Sequence, residues 1–182
     1  MLRAASNMPA STSSLTALAL APGALNTQMP LAVICGTGTN DTRHSVELTE
    51  AAVEAGADAV LVVTPYYNKP TQEGLYRHFR SIVERGGLPA VLYHIPGRSV
   101  ISIDVDTVRR TAEAGGILAL KETGSVARVT ELRLRTTVPV LSGDDAMALP
   151  MLSIGGRGVI STTSNVAPSA MVGMLRAWRS GD

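Results

Sequence analysis

The sequence predicts an α/β fold of the (β/α)8 TIM-barrel type, incomplete, with about six βα units. Three observations carry that prediction. Six short runs rich in Val, Ile and Leu recur between residues 30 and 182, each continuous rather than alternating, as in strands buried on both faces of a parallel sheet. Their starts lie 20 to 31 residues apart, which leaves room for one crossover helix in every interval. Polar or reactive residues stand just after nearly every run. A barrel gathers all its strand C-termini around one mouth, whereas an open doubly wound sheet disperses them, so the barrel is favoured.

The elements follow in order. The first run, residues 31–35, ends in Gly36-Thr37-Gly38, which reads as a tight strand-to-helix turn, since it lacks the third glycine and the Lys-Ser/Thr of phosphate cradles. A helix is expected over 45–55, then a strand over 59–63 that opens into Thr64-Pro65-Tyr66-Tyr67-Asn68. Helix 72–85 leads to strand 90–93 and to the Pro/Gly-shaped segment His94-Ile95-Pro96-Gly97-Arg98. Helix 106–114 leads to strand 117–120 and Lys121-Glu122-Thr123. Helix 126–135, strand 138–141, Ser142-Gly143-Asp144-Asp145, helix 145–154 and strand 158–160 complete the series, and Ser161-Thr162-Thr163 follows.

Residues 1–29 are of another kind. They hold no Asp or Glu, a single Arg and many Ser, Thr and Ala. Without repeated Arg, or a basic cluster ahead of the apolar stretch 15–20, they match neither a transit peptide nor a secretion signal well. They are set apart as an atypical N-terminal segment whose order the sequence leaves open, with 30–182 as the partial barrel domain. Sixteen Lys plus Arg against fifteen Asp plus Glu give a net charge of +1, without the basic footprint that nucleic acid requires. One cysteine, Cys35, excludes an intramolecular disulfide and reads as an inert buried thiol. The apolar runs fall short of the ~18 to 20 residues that span a bilayer. A soluble, cytoplasmic protein with no membrane partner is expected.

Only two of the cations are lysines, Lys69 and Lys121. Lys121 closes a buried strand, where desolvation lowers an ammonium pKa towards the nucleophilic range, and a Schiff base with a 2-oxo acid or an aldehyde is the chemistry this suggests. The competing reading is a lysine paired with Glu122 or Asp144. Tyr93 ends the preceding strand and could pass protons to and from a carbinolamine on Lys121. Arg98 could hold a substrate carboxylate through a bidentate fork. Tyr66 and Tyr67, side by side after a strand, suggest a mouth or an interface. His44, His78 and His94 have no metal-ligand spacing, and Asp144 and Asp145 read as helix caps before a metal pair, so neither a metal nor another cofactor is expected.

Taken together, Gly36-Thr37-Gly38, Thr64-Pro65-Tyr66-Tyr67-Asn68-Lys69-Pro70, Leu92-Tyr93-His94-Ile95-Pro96-Gly97-Arg98, Leu120-Lys121-Glu122-Thr123 and Leu141-Ser142-Gly143-Asp144-Asp145 resemble the dihydrodipicolinate synthase family of class I aldolase-like barrels. The resemblance runs from about Pro30 to Trp178 and implies strands three to eight of the barrel, with the chain truncated at both ends. It implies that Lys121 forms a Schiff base with pyruvate, that Tyr93 serves the proton relay, and that Arg98 binds the carboxylate of L-aspartate semialdehyde. Tyr67 would be the relay tyrosine lent across a dimer, and the backbone at Gly158 and Ile160 would help hold pyruvate. Asn40 and Tyr66 match positions near a lysine-regulatory site, where His44 replaces an acid. The implied reaction is a lyase condensation giving 4-hydroxy-tetrahydrodipicolinate, in lysine biosynthesis through diaminopimelate, by a homo-oligomer that needs no cofactor. A sister aldolase for a sugar-derived 2-oxo acid and an inactive fragment or pseudoenzyme are the alternatives. The family's Gly-Thr-Thr-Gly-Glu block, whose second threonine links the relay tyrosines, is not found, and His94 stands where asparagine is commoner.

Overall fold

The computed structural model describes residues 32–181 together with a two-residue strand, Thr16–Ala17. The rest of segment 1–29 lies outside the described residues. The strands are β1 (Thr16–Ala17), β2 (Val33–Gly36), β3 (Ala59–Val63), β4 (Ala90–His94), β5 (Ile117–Glu122), β6 (Val140–Ser142) and β7 (Gly158–Val159). They lie in one sheet in sequence order, with β1 antiparallel to β2 and all later pairings parallel. Six parallel strands in consecutive order, each followed by helix, form a curled part of a (β/α)8 barrel.

The helices are α1 (Thr42–Glu54), α2 (Gln72–Gly86), α3 (Pro96–Ser99), α4 (Val105–Glu113), α5 (Val126–Arg135), α6 (Ala148–Ser153) and α7 (Pro168–Ser180). Their starts follow local chemistry. Asp41, Thr71 and Ser125 each accept a hydrogen bond from the backbone N–H three residues on, which satisfies one orphan donor of α1, α2 and α5. Gly87, at φ +81°, ends α2 in the left-handed conformation that glycine adopts without strain.

Continuous apolar strands serve two cores because successive side chains face opposite ways. Val60, Val62, Leu92, Leu120 and Val140 pack outward against Phe79, Ile82, Val108 and Leu132 of the helices. Ile34, Ala59, Val91, Ala119, Leu141 and Ile160 form a second cluster on the inner face. Gly36-Thr37-Gly38 is a close approach of loop to strand: Thr37 and Gly38 donate to the Leu61 carbonyl, and a Cβ on Gly38 would stand 2.3 Å from the Val63 nitrogen. Only glycine fits there.

His78 is buried between α1 and α2, with Nδ1 2.9 Å from the Thr42 hydroxyl and Nε2 without a hydrogen-bond partner among the described residues. Burial lowers its pKa from 6.5 to about 4, against the opposing charge of Asp41. Above pH 6.5 neither folded nor unfolded chain binds this proton, and between 6.5 and about 4 only the unfolded chain does. Stability therefore falls as pH drops through that window, by about 3 kcal/mol from this group. Denaturant unfolding at pH 7 and pH 4.5 is expected to show the loss in the parent chain and a smaller one in His78→Gln.

Candidate active site

The site starts from strand register. β4 and β5 pair Tyr93 with Lys121 and His94 with Glu122. Alternation then sends the first pair to the inner face, above Val91 and Ala119, and the second to the helix-facing side. Two adjacent residues on each strand thus serve different compartments.

On the inner face, Lys121 is 8% exposed and its Nζ lies 4.1 Å from the centroid of the Tyr93 ring. An ammonium over an aromatic face gains a cation–π attraction but loses its hydration. Burial pulls the Lys121 pKa below its ordinary value while Asp145 pulls it back up. Burial likewise raises the Tyr93 phenol, against the Arg98 guanidinium. The space beside the lysine is made by Gly143, where a Cβ would come within 2.9 Å of Lys121 Cε. Tyr93, Arg98, Thr123, Gly143, Asp145 and Thr162 are among the walls of an open cleft of about 740 Å³.

Arg98 reaches the cleft from α3, a single turn started by Pro96. The Ser99 hydroxyl, bonded to the carbonyls of Ile95 and Ile101, closes this turn, and Val100 follows at φ +61°. A β-branched residue in that region is strained, so the loop presenting Arg98 is held by its neighbours rather than by local preference.

The opposite face carries a network that sequence reasoning missed. The Glu122 carboxylate is fully buried and accepts from His94 Nδ1 at 2.6 Å, the Gly124 N–H at 2.6 Å and Arg128 Nε at 3.0 Å. Arg128 also donates to the Ile103 carbonyl. This ties β4, β5 and α5 together behind Tyr93 and Lys121. The expected competitor, a Lys121–Glu122 pair, is not formed, because the two side chains leave the strand on opposite faces. A signal existed: His94 and Glu122 each follow a chemistry-bearing strand end by one residue, and the period of two puts both on the same side.

The capping role expected for Asp144 and Asp145 needs correction. The helix begins at Ala148, not 145, and has no side-chain cap. Asp144 Oδ1 closes a local turn onto the Ala146 N–H at 3.0 Å. Asp145 Oδ2 instead accepts from Thr162 N–H, Thr163 N–H and the Thr163 hydroxyl, pinning the loop after β7. A carboxylate so engaged is unavailable to the helix.

Gly158 pairs with Leu141, and the Ile160 N–H donates to the Ser142 carbonyl with its side chain in the inner cluster. Tyr67 is not brought to Lys121: it is 87% exposed at φ +74°, on a loop fastened by Asn68 Nδ2 to the Asn40 carbonyl. Tyr66, beside it, is 41% exposed. Among the described residues no cluster of His, Cys, Asp or Glu could hold a metal, and no helix is long and apolar enough to cross a membrane.

Comparison with known proteins gives a consistent picture. A family model described as the dihydrodipicolinate synthetase family matches residues 18–182. The 4-hydroxy-tetrahydrodipicolinate synthase of Thermodesulfovibrio yellowstonii is 48% identical over 161 residues, which are 87% of this chain and 55% of that protein. That of Nitrosomonas europaea is 52% identical over 153 residues, 82% of this chain and 52% of that protein. The crystal structure of dihydrodipicolinate synthase from Aquifex aeolicus superposes with a TM-score of 0.80 at 44% identity, covering 84% of this chain and 53% of that one. A dihydrodipicolinate synthase from Acinetobacter baumannii complexed with pyruvate gives 0.79 at 44%, covering 86% and 55%. The chain spans about half the length of the curated relatives it matches.

Proposed function

Because the chain belongs to the dihydrodipicolinate synthetase family, we propose that it carries the pyruvate-binding and proton-handling part of a Schiff-base lyase that condenses pyruvate with L-aspartate semialdehyde to 4-hydroxy-tetrahydrodipicolinate. The observation that supports this most is the desolvated Lys121 nitrogen over the Tyr93 ring at the mouth of the strands. Lowering the lysine pKa raises the fraction of neutral amine, whose lone pair attacks C2 of pyruvate to give a carbinolamine. Loss of hydroxide as water needs a proton at that oxygen, and the neutral Tyr93 phenol, which burial favours, is the donor this reading assigns.

The Tyr93 phenolate left by that transfer takes a C3 proton from the protonated imine, giving an enamine whose C3 attacks the aldehyde carbon. The amine of the new adduct displaces Lys121 from C2 and closes the ring, so that one water is released overall. Arg98 is the cleft's cation for the aldehyde's carboxylate, and a sugar-derived acceptor has less use for it. The inner-face backbone at Gly158 and Ile160 lies beside Leu141 and Ser142, where it can help hold pyruvate. Tyr67, exposed and in a strained conformation, is suited to contact a second copy of the chain.

Product formation from pyruvate and L-aspartate semialdehyde tests the reading. Arg98→Ala is expected to lower kcat/KM for the aldehyde by about one to two orders of magnitude and to leave capture of pyruvate by borohydride unchanged. Equal loss in both assays would show that Arg98 maintains the loop and does not read the acceptor.

A further inference from the structure

Arg98 stands on a turn that does not support itself. Val100, two residues on, is 65% exposed and held at φ +61° although it is β-branched, a conformation that persists only where surrounding contacts over-determine it. Those contacts lie in the next four residues. The Ile101 carbonyl accepts from the Ser99 hydroxyl at 3.0 Å, the Ser102 carbonyl from Gln72 Nε2 at 2.8 Å and the Ile103 carbonyl from Arg128 Nη2, while the Asp104 N–H donates to Gln72 Oε1 at 3.0 Å. The Ile103 side chain is fully buried in the outer core. Each residue from 101 to 104 therefore has a backbone group fastened.

Two side chains from other elements make three of those four bonds. Gln72, the first residue of α2, spends both ends of its amide on Ser102 and Asp104. Arg128 of α5 is shared between two sites: its Nε donates to the Glu122 carboxylate at 3.0 Å, and its Nη2 to the Ile103 carbonyl. The stem of Arg128 lies against Gly124, where a Cβ would stand 3.2 Å from Arg128 Cδ. Glu122 in turn holds His94, so one planar guanidinium joins the segment after Arg98 to the ends of β4 and β5 that carry Tyr93 and Lys121.

We propose that Gln72 and Arg128 are positioning residues for Arg98: together they clamp segment 101–104, and Arg128 fixes the clamp to the strand ends, so that Arg98 is presented at a set place relative to Lys121. The clamp is read from hydrogen bonds alone, and its consequence for the acceptor rests on the proposed function. Neither side chain borders the cleft, whereas Arg98 does, so their effect on an acceptor passes through the Arg98 loop. A bidentate grip on a carboxylate needs two N–H···O bonds aligned at once, and an aldehyde carbon displaced by a fraction of its approach distance reacts poorly with an enamine.

Two substitutions separate the clamp from its surroundings. Arg128→Lys keeps a cation beside Glu122 but loses the fork that spans Glu122 and Ile103. Gln72→Ala releases Ser102 and Asp104 and leaves the Glu122 network untouched. Each is expected to lower kcat/KM for L-aspartate semialdehyde about tenfold, with the pyruvate concentration that half-saturates borohydride capture unchanged. In an Arg98→Ala background each is expected to cost less than about twofold more, because the group being positioned is gone. Trypsin gives a reading without substrate: cleavage after Arg98 is expected to quicken about fivefold or more in both variants, and cleavage after Arg179, near the end of α7, to stay at the parent rate.

A folded variant of either kind that keeps the parent's kcat/KM for the aldehyde, or the parent's cleavage rate at Arg98, overturns the proposal. An equal loss of kcat/KM in the parent and Arg98→Ala backgrounds also overturns it, since the effect then bypasses Arg98. So does equal acceleration at Arg98 and Arg179, which marks a general loss of stability. If Arg128→Lys fails to fold, Gln72→Ala carries the same readings. A parent chain that yields neither a pyruvate adduct nor product sinks the lyase reading, and the tryptic comparison then decides the clamp by itself.

Discussion

Incubation with pyruvate followed by borohydride is expected to place one reduced adduct on Lys121, mapped by peptide sequencing, and none on Lys69. The two lysines differ in surroundings: Lys121 is 8% exposed over an aromatic ring, whereas Lys69 is an exposed loop residue. Imine formation needs neutral amine, and burial favours it at Lys121. Lys121→Ala is expected to abolish the adduct and to reduce turnover by about four orders of magnitude or more, since no other group can form the covalent intermediate. Lys121→Arg should do the same despite keeping the charge, because a guanidinium stays protonated. An adduct on Lys69 instead, or persistence of the reaction in Lys121→Ala, would remove the basis of the lyase reading.

The second large effect is on stability. Glu122→Ala is expected to destabilise the fold by about 3 to 5 kcal/mol in denaturant unfolding. The change leaves His94 Nδ1, the Gly124 N–H and the Arg128 guanidinium without their shared acceptor in a buried setting. Most of the loss is the desolvation of groups left behind, so Glu122→Gln, which retains one acceptor oxygen, should cost less. His94→Asn should cost least, since an amide donor can replace the ring N–H to Glu122. If Glu122→Ala unfolds at the same denaturant concentration as the parent, the network is incidental to the fold.

The strands were legible because burial on both faces writes itself as continuous Val, Ile and Leu. That signal stops early where the strand does not. β4 and β5 extend through His94 and Glu122, residues that join the ladder by register and by their hydrogen bond, neither of which is a property of hydropathy. α6 starts three residues later than its expected position because Asp145 is bonded to the neighbouring strand's loop, a contact 17 and 18 residues away in sequence. The short α3 read as a Pro/Gly-shaped loop, since one turn has no periodicity to detect. Of the candidate site, Tyr93 and Arg98 border one cleft and Lys121 packs against Tyr93 and Gly143 beside it, whereas Tyr67 is not brought to them. The roles of Gly143 and Asp145 depend on which atoms neighbour them across β5 and β7, and spacing along one chain does not carry that information.

Strand ends in which reaction and fastening occupy alternate positions can be altered on one side without disturbing the other. Residues 93 and 121 can in principle be exchanged for groups of other chemistry while 94, 122 and 128 keep the two strands joined. The reverse holds for indels: losing or gaining a single residue in β5 would swap the compartments, presenting an acid to the cleft and an amine to the helix layer. For anyone re-engineering this scaffold, point substitution on the inward positions is the open route, and the length of β5 is the parameter to leave alone.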